Sequence, residues 1–143
     1  MEVFSKVIAF TLNEQDYGID IQQISSIVRV QEITTVPGVS RFIKGVINLR
    51  GSITPIIDLK ERLLLGKTST SSDSRIIIVE NNERQVGLIV DKAKDVIDLD
   101  TSVIEPAPES MFGINDTFIK GVAKTNGKIF LLLDLVQVLG EEG

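Results

Sequence analysis

The segment Gly66-Lys67-Thr68 has the residue types that end a phosphate-binding loop. Such a loop needs another glycine five residues before its second glycine, because its backbone amides must wrap around the phosphates. Glu61 stands at that position, and a Ser/Thr-rich stretch follows where the loop requires a helix. The spacing therefore disfavours nucleotide binding at this segment.

Asp58 and Asp134 are a second candidate for chemistry, because a pair of carboxylates can share general acid and base work. The two residues recur in similar segments, and Glu61 and Gln137 follow them three residues later. A polar residue with Glu or Gln three positions on is the pattern that starts a helix. We therefore predict that both aspartates cap short helices.

The residue inventory removes several catalytic classes. The 143 residues include no His and no Cys. Ser-His-Asp triads, imidazole bases, disulfides and His or Cys metal sites are thereby excluded, and no cofactor is expected. Carboxylates and lysines could still catalyse, so an enzyme is disfavoured without being excluded.

The length of 143 residues and the 43% hydrophobic content predict one globular domain. The N-terminal residues lack the pattern of a signal peptide, and no apolar run approaches the roughly 20 residues that span a bilayer. We therefore expect a cytoplasmic protein. Residues 1–67 carry a net charge of +1 and residues 68–143 a net charge of −6. This acidic second half argues against nucleic acid as a partner.

The chain contains an internal repeat. The segment 42–63 aligns without a gap with 118–139, at an offset of 76 residues, and ten of the 22 positions are identical. The segment 7–19 aligns more loosely with 76–88, at an offset of 69. We infer a first repeat of about 7–67 and a second of about 75–140, joined by a linker at 68–74. The duplication predicts a molecule with pseudo-two-fold symmetry.

Each repeat has the pattern of short β-strands separated by polar turns, followed by one short helix. The dipeptides Arg50-Gly51 and Asn126-Gly127 lie at equivalent places between two apolar runs. Asn-Gly is the preferred type I′ hairpin turn, because both central residues need a positive φ. The sequence therefore predicts a mainly β protein, two small β-barrels sharing a core, with short helices.

Two features have both a structural and a functional interpretation. Arginine is disfavoured at positive φ, so Arg50 is either a solvated turn residue or a residue kept for function. A second feature is a set of apolar residues at helical spacing, which could belong to the core or to the wall of an apolar groove. This set contains Ile21, Ile24, Ile27 and Val28.

The segment 36–59, Val-Pro-Gly-Val-Ser-Arg-Phe-Ile-Lys-Gly-Val-Ile-Asn-Leu-Arg-Gly-Ser-Ile-Thr-Pro-Ile-Ile-Asp-Leu, resembles the CheW family of chemotaxis coupling proteins. Shorter matches lie at 17–21, 86–91 and 118–122. The resemblance runs from about Phe4 to Leu139, so we expect one CheW-like domain over 1–143. We therefore expect neither the catalytic domains of the kinase CheA nor the receiver domain of CheV.

The resemblance implies two five-stranded barrels and a protein without catalysis or cofactor. It implies a scaffold that joins the cytoplasmic tips of methyl-accepting chemoreceptors to the regulatory domain of the histidine kinase CheA. Kinase binding is expected chiefly through the second barrel, at residues the resemblance does not specify. The isolated protein is expected to be a monomer that joins membrane receptor arrays through its partners.

The resemblance also implies a receptor groove between the barrels. Carried over by matching positions, the groove residues are Ile8, Ile21, Ile24, Ile27, Arg50 and Ala93. Ser26 departs from the family, because many relatives have Glu near this position. Two alternatives remain: the same module in a non-chemotactic signalling array, and a small-ligand-binding β-barrel protein.

Overall fold

The computed structural model describes residues 4–106 and 116–140, and the two halves of the chain have the same order of elements. The first half contains β1 (Phe4–Leu12), β2 (Gln15–Asp20), β3 (Ile24–Arg29), β4 (Ile43–Leu49), β5 (Ser52–Asp58) and the helix α1 (Leu59–Arg62). The second half contains β6 (Arg75–Asn81), β7 (Arg84–Val90), β8 (Lys92–Asp100), β9 (Ile119–Thr125), β10 (Lys128–Leu133) and the helix α2 (Leu135–Leu139). Short 3-10 helices lie at Ile21–Gln23, Thr101–Val103 and Asp116–Phe118.

The strands form two five-stranded sheets, which confirms the mainly β prediction. Sheet A has the order β8-β1-β2-β10-β9, and sheet B has the order β3-β6-β7-β5-β4. Each sheet therefore combines one hairpin from one repeat with three strands of the other. The repeats do not correspond to separate sheets, although the pseudo-two-fold relation between the two sheets holds.

The expected barrels are not closed, because the edge strands β8 and β9 of sheet A form no ladder with each other, and neither do β3 and β4 of sheet B. Each sheet nevertheless curls, because the segment after one edge strand reaches the other edge strand. In sheet B, Thr34 and Val46 exchange two backbone hydrogen bonds of 2.9 Å. In sheet A, Glu105 and Val122 make the equivalent pair, at 2.9 and 2.7 Å. Each sheet thus has one bridging residue pair where a closed barrel would have a continuous ladder of hydrogen bonds.

The buried apolar residues form three cores. One lies within sheet A and contains Val7, Ala9, Leu99, Ala123, Phe130 and Leu132. One lies within sheet B and contains Ile47, Ile56, Ile76, Ile78 and Ile89. The third, which we call the shared core, draws residues from both sheets and includes Phe10, Tyr17, Ile77, Val79, Leu88, Leu131 and Leu133.

The shared core explains why several strands are continuous apolar runs. In β6, Ile76 and Ile78 belong to the core of sheet B, whereas Ile77 and Val79 belong to the shared core. Successive side chains of a strand point to opposite faces, so a strand buried on both faces is apolar throughout. The two sheets therefore pack through their outer faces.

The predicted helix caps are confirmed. The carboxylate of Asp58 accepts a 3.1 Å hydrogen bond from the Lys60 amide, and the carboxylate of Asp134 accepts one of 3.3 Å from the Gln137 amide. The reciprocal bond of a capping box is absent at Asp58, because the Asp58 amide donates to the Phe42 oxygen instead. Glu61 forms an ion pair with Lys44.

Candidate functional site

The groove residues assigned to sheet A lie on its outer face, along the edge strand β8. Ala93 is directly opposite Phe10 of β1, and Val96 is directly opposite Ile8. Residues opposite each other in an antiparallel pair point to the same face. Phe10 belongs to the shared core, so Ile8, Ala93 and Val96 share the face that packs towards sheet B.

The groove residues on β3 have the same arrangement in sheet B. Ile24 is directly opposite Val79, and Ile27 is directly opposite Ile77. Both partners belong to the shared core, so Ile24 and Ile27 lie at its margin. The residues at 21–28 therefore lie on a 3-10 turn and a strand. Their helical spacing does not reflect a helix.

The two groups are related by the 69-residue offset. Ile24 corresponds to Ala93, and Ile27 corresponds to Val96, with equivalent partners across the ladder. Ile27 is 37% exposed and Val96 is 46% exposed, although both are large apolar residues on an edge strand. Val96 was not among the expected groove residues. The offset between the repeats contained the signal that could have identified it.

Ile21 lies where the chain crosses from sheet A to sheet B. It opens the 3-10 helix between β2 and β3, and this helix contacts both β1 and β6. The carboxylate of Asp20 fixes the start of this helix by accepting a 2.9 Å hydrogen bond from the Gln22 amide. Ile21 therefore stands between the two groups of groove residues.

Arg50 occupies the predicted hairpin turn between β4 and β5. Its φ is 55° and that of Gly51 is 87°, close to the 52° and 76° of Asn126 and Gly127. The Asn48 side chain stabilises the turn by accepting a 2.9 Å hydrogen bond from the Gly51 amide. The Arg50 side chain is exposed and makes no hydrogen bond or ion pair with the rest of the described chain.

The turn lies at the same end of sheet B as Ile24. The strand β5 is parallel to β7, so the turn before β5 lies at the end where β7 begins. The strand β6 is antiparallel to both β7 and β3, so β3 also begins at this end. The turn of Arg50 and the residue Ile24 thus lie at one end of sheet B, with β6 and β7 between β3 and β5.

Ser26 and Val28 face away from the shared core. Ser26 is directly opposite Ile78, and Val28 is directly opposite Ile76. Both partners belong to the core inside sheet B, so Ser26 lies on the opposite face from Ile27. Val28 is therefore partly buried against the core inside sheet B, whereas Ile24 is partly buried against the shared core.

The segment that resembled a phosphate-binding loop has a structural role. The Thr68 amide donates a 2.9 Å hydrogen bond to the Asp58 carboxylate, and the Thr68 hydroxyl donates another of 2.7 Å. These donors are therefore engaged by a carboxylate of the chain itself. Within residues 4–106 and 116–140, no group of His, Cys, Asp and Glu side chains could hold a metal ion. The helices in these ranges are also too short to cross a membrane.

Comparison with known proteins identifies the fold and the family. The family model of the CheW-like domain matches residues 6–143. The chain belongs to the CheW family. It is 42% identical to "Chemotaxis protein CheW" of Bacillus subtilis over 137 residues, which cover 96% of this chain and 88% of that protein. It is 33% identical to the protein of the same name from Klebsiella aerogenes, over 98% of this chain and 84% of that protein.

A crystal structure of a CheW-family member shows the same fold. The scaffolding protein TtCheW from Thermoanaerobacter tengcongensis superposes with a TM-score of 0.89 and 42% identity, over 99% of this chain and 91% of that one. The protein is thus a non-catalytic chemotaxis scaffold of the CheW family. The outer-face residues on β3 and β8 are a candidate partner surface of this scaffold, because they are apolar, incompletely covered and repeated at equivalent positions of two edge strands.

Proposed function

We propose that this CheW-family protein couples the cytoplasmic tips of chemoreceptors to a CheA-type histidine kinase, and that it acts in the cytoplasm. The observation that carries the proposal is the pair Ile27 and Val96. Both repeats place an exposed β-branched residue at the same strand position, at the margin of the shared core. Single exposed apolar side chains are common, whereas apolar side chains grouped at one margin, as Ile24 and Ile27 are, favour a protein partner.

The chemistry of this surface suits an amphipathic helix. Ile24 and Ile27 on β3 and Ala93 and Val96 on β8 offer aliphatic contacts of the kind that bind the i, i+3, i+4 anchors of a helix in a groove. Arg50 adds planar donors at one end of sheet B, and these can bind carbonyl or carboxylate oxygens in fixed geometry. A helical receptor tip would satisfy both kinds of contact.

The kinase-binding surface was expected on the second barrel, but each sheet contains strands of both repeats. Sheet A takes β8, β9 and β10 from the second repeat, so it is the counterpart of that barrel. We expect an end of sheet A to pair with the related fold of the kinase regulatory domain, because like folds can pair through matching surfaces. Two separate surfaces would let one scaffold hold both partners and raise their effective concentration.

The experiment measures both partners by calorimetry with the full chain. Ile27→Glu and Val96→Glu each place a charge at the groove margin, so each is expected to weaken binding of a receptor tip at least about tenfold. Binding to the kinase regulatory domain should stay within about twofold. Ile129→Glu is the matched control, because Ile129 is 42% exposed on a strand and lies outside the groove set.

Two results would contradict the proposal. The first is absence of kinase-domain binding at tens of micromolar, because even transient signalling contacts usually reach about that affinity. The second is an equal loss of receptor binding in Ile129→Glu and Ile27→Glu, which would show that the effect does not depend on the groove.

A further inference from the structure

Neither repeat forms a sheet by itself. Within one repeat, the described strands make only two hairpins, β1–β2 and β4–β5 in the first and β6–β7 and β9–β10 in the second. The strand β3 pairs in its ladder with β6, and β8 pairs with β1. The parallel pairings β2–β10 and β5–β7 also join different repeats. Each half of the chain therefore needs the other half to complete both sheets.

We propose that the required half can come from a second copy of the chain, so that two copies assemble as a strand-exchanged dimer that opens at residues 66–74. In this dimer, residues 4–65 of one copy would pair with residues 75–140 of the other. Every strand pairing and all three cores would be the same as in the single chain. Only the path of the linker would change.

The linker contacts support a hinge at this segment. Thr68 is held by Asp58, at the end of β5 and the start of α1. The Ser74 amide donates a 3.1 Å hydrogen bond to the Ser71 oxygen, and the Ser71 amide donates one of 2.9 Å to the Ser74 hydroxyl. The Arg75 guanidinium, at the start of β6, donates bonds of 2.8 Å to the Ser72 and Ser74 oxygens, so the linker bonds to its own turn and to both halves. None of these bonds joins residues 4–65 directly to residues 75–140, so a changed linker path would cost few bonds between the two halves.

The linker length decides between the single chain and the dimer. Asp58 is paired with Ile89, and Ile89 is paired with Ile76, so Asp58 and Ile76 are two strands apart. Two strand spacings are about 10 Å. With the present linker the two halves of one chain can pair with each other. A short linker holds the halves at an effective concentration of order mM, which favours the single chain in dilute solution.

The dimer would contain two complete groove surfaces, each built from both copies. Ile24, Ile27 and Arg50 lie in the first repeat, whereas Ala93 and Val96 lie in the second. Each groove would therefore take its β3 side from one copy and its β8 side from the partner. If the proposed receptor binding holds, such a dimer presents two receptor sites in one particle.

The test removes residues 69–74, which joins Thr68 directly to Arg75. Two residue steps from Thr68 to Ile76 reach about 7 Å, less than the distance of about 10 Å from Ile76 to Asp58, the residue whose carboxylate holds Thr68. We expect this variant to have a molar mass of about twice 15.7 kDa by light scattering, with the strand signal of the parent chain in circular dichroism. A variant with six Gly and Ser residues inserted after Thr70 is the matched control and should remain a monomer.

Exchange of labelled copies separates this dimer from association between surfaces. Two differently tagged batches of the deletion variant should form mixed dimers only after joint unfolding and refolding. A folded monomer would overturn the proposal. An unfolded deletion variant would also overturn it, because the proposed dimer retains every native pairing. Mixed dimers that form without unfolding would show surface association and would overturn it too.

Discussion

Arg62 and Val138 occupy equivalent positions in the two repeats, and the Nε of Arg62 donates a 2.6 Å hydrogen bond to the main-chain oxygen of Val138. A second nitrogen of the same side chain donates a 3.2 Å bond to the Gln137 oxygen. The guanidinium carbon also lies 4.6 Å from the ring centre of Phe42 and 4.9 Å from that of Phe118. One side chain thus satisfies helix-terminal carbonyls of α2 and contacts the equivalent aromatic residue of each repeat.

Arg62→Met should lower the free energy of unfolding by about 2 kcal/mol. The variant keeps an apolar side chain but loses two charge-assisted hydrogen bonds and two cation–π contacts. Urea unfolding followed by circular dichroism measures the change. Arg41→Met is the control, because Arg41 is exposed and its replacement should cost less than about 0.5 kcal/mol. Equal midpoints for the two variants would show that the Arg62 contacts do not stabilise the fold.

The local elements could be predicted because their causes are local. Asn126-Gly127 specifies its own turn, and Asp58 specifies the start of its own helix. The choice of strand partners could not be predicted, because the duplication makes the alternatives alike. The strand β2 lies beside β10, yet β5 has a closely related sequence and could offer the same apolar surface. Which copy pairs with which depends on the whole chain.

Only some residues of the candidate site could be predicted, for similar reasons. Ile24 and Ile27 were suspected from their spacing, whereas Ile8 and Ala93 came from the family resemblance alone. Val96 was overlooked because the segment 92–100 mixes apolar and charged residues without a distinctive pattern. The 69-residue offset relates Val96 to Ile27, and the ladder register shows that the two residues have equivalent partners.

Gly87→Ala should destabilise the protein by about 1–3 kcal/mol, as overpacking of a core does. A Cβ at Gly87 would lie 2.6 Å from the Cδ1 of Ile56 and 2.7 Å from the Cγ2 of Ile76. Gly18 is the equivalent residue in the first repeat, and a Cβ there would lie 3.2 Å from its nearest neighbour, the Cδ2 of Leu132. Gly18→Ala is therefore the matched control and should cost less. Thermal unfolding of the two variants compares them, and the reverse order would contradict this account.

Tyr17 should make stability fall steeply in strong alkali. Its ring is stacked on Phe10 with 5.6 Å between centroids, and burial raises the pKa of Tyr17 from 10.0 to about 12. Below pH 10 the phenol is protonated in both the folded and the unfolded chain, so no stability is lost. Between pH 10 and 12 only the unfolded chain releases the proton, so the free energy of unfolding should fall by about 1.4 kcal/mol per pH unit.

Two measurements check the alkaline effect. Tyr17 is the single tyrosine and the chain has no Trp, so the ultraviolet absorbance of phenolate reports this residue alone. Its titration midpoint should be near pH 12 in the folded protein and near 10 in denaturant. Tyr17→Phe should remove this part of the pH dependence of unfolding. A folded-state midpoint near pH 10 would contradict the prediction.

Arg50→Asn should separate function from stability. The turn holds Arg50 at a φ of 55°, which asparagine adopts more readily, so the variant should gain up to about 1 kcal/mol of unfolding free energy. Receptor-dependent kinase activation should nevertheless fall at least about tenfold, because the planar donors of Arg50 are lost. Arg50→Lys should also fail to activate, since an ammonium group cannot reproduce the fork of donors. Kinase-domain affinity should persist in both variants.

The reciprocal change, Asn126→Arg, provides the control. It places arginine at a φ of 52° in the equivalent turn, so it should reduce the thermal midpoint by a few degrees and leave receptor-dependent activation intact. The comparison requires thermal midpoint, kinase-domain affinity and receptor-dependent kinase activation for each variant. Normal activation by Arg50→Asn would show that Arg50 is only a solvated turn residue. Unfolding of Arg50→Asn would show instead that Arg50 is needed for the structure of sheet B.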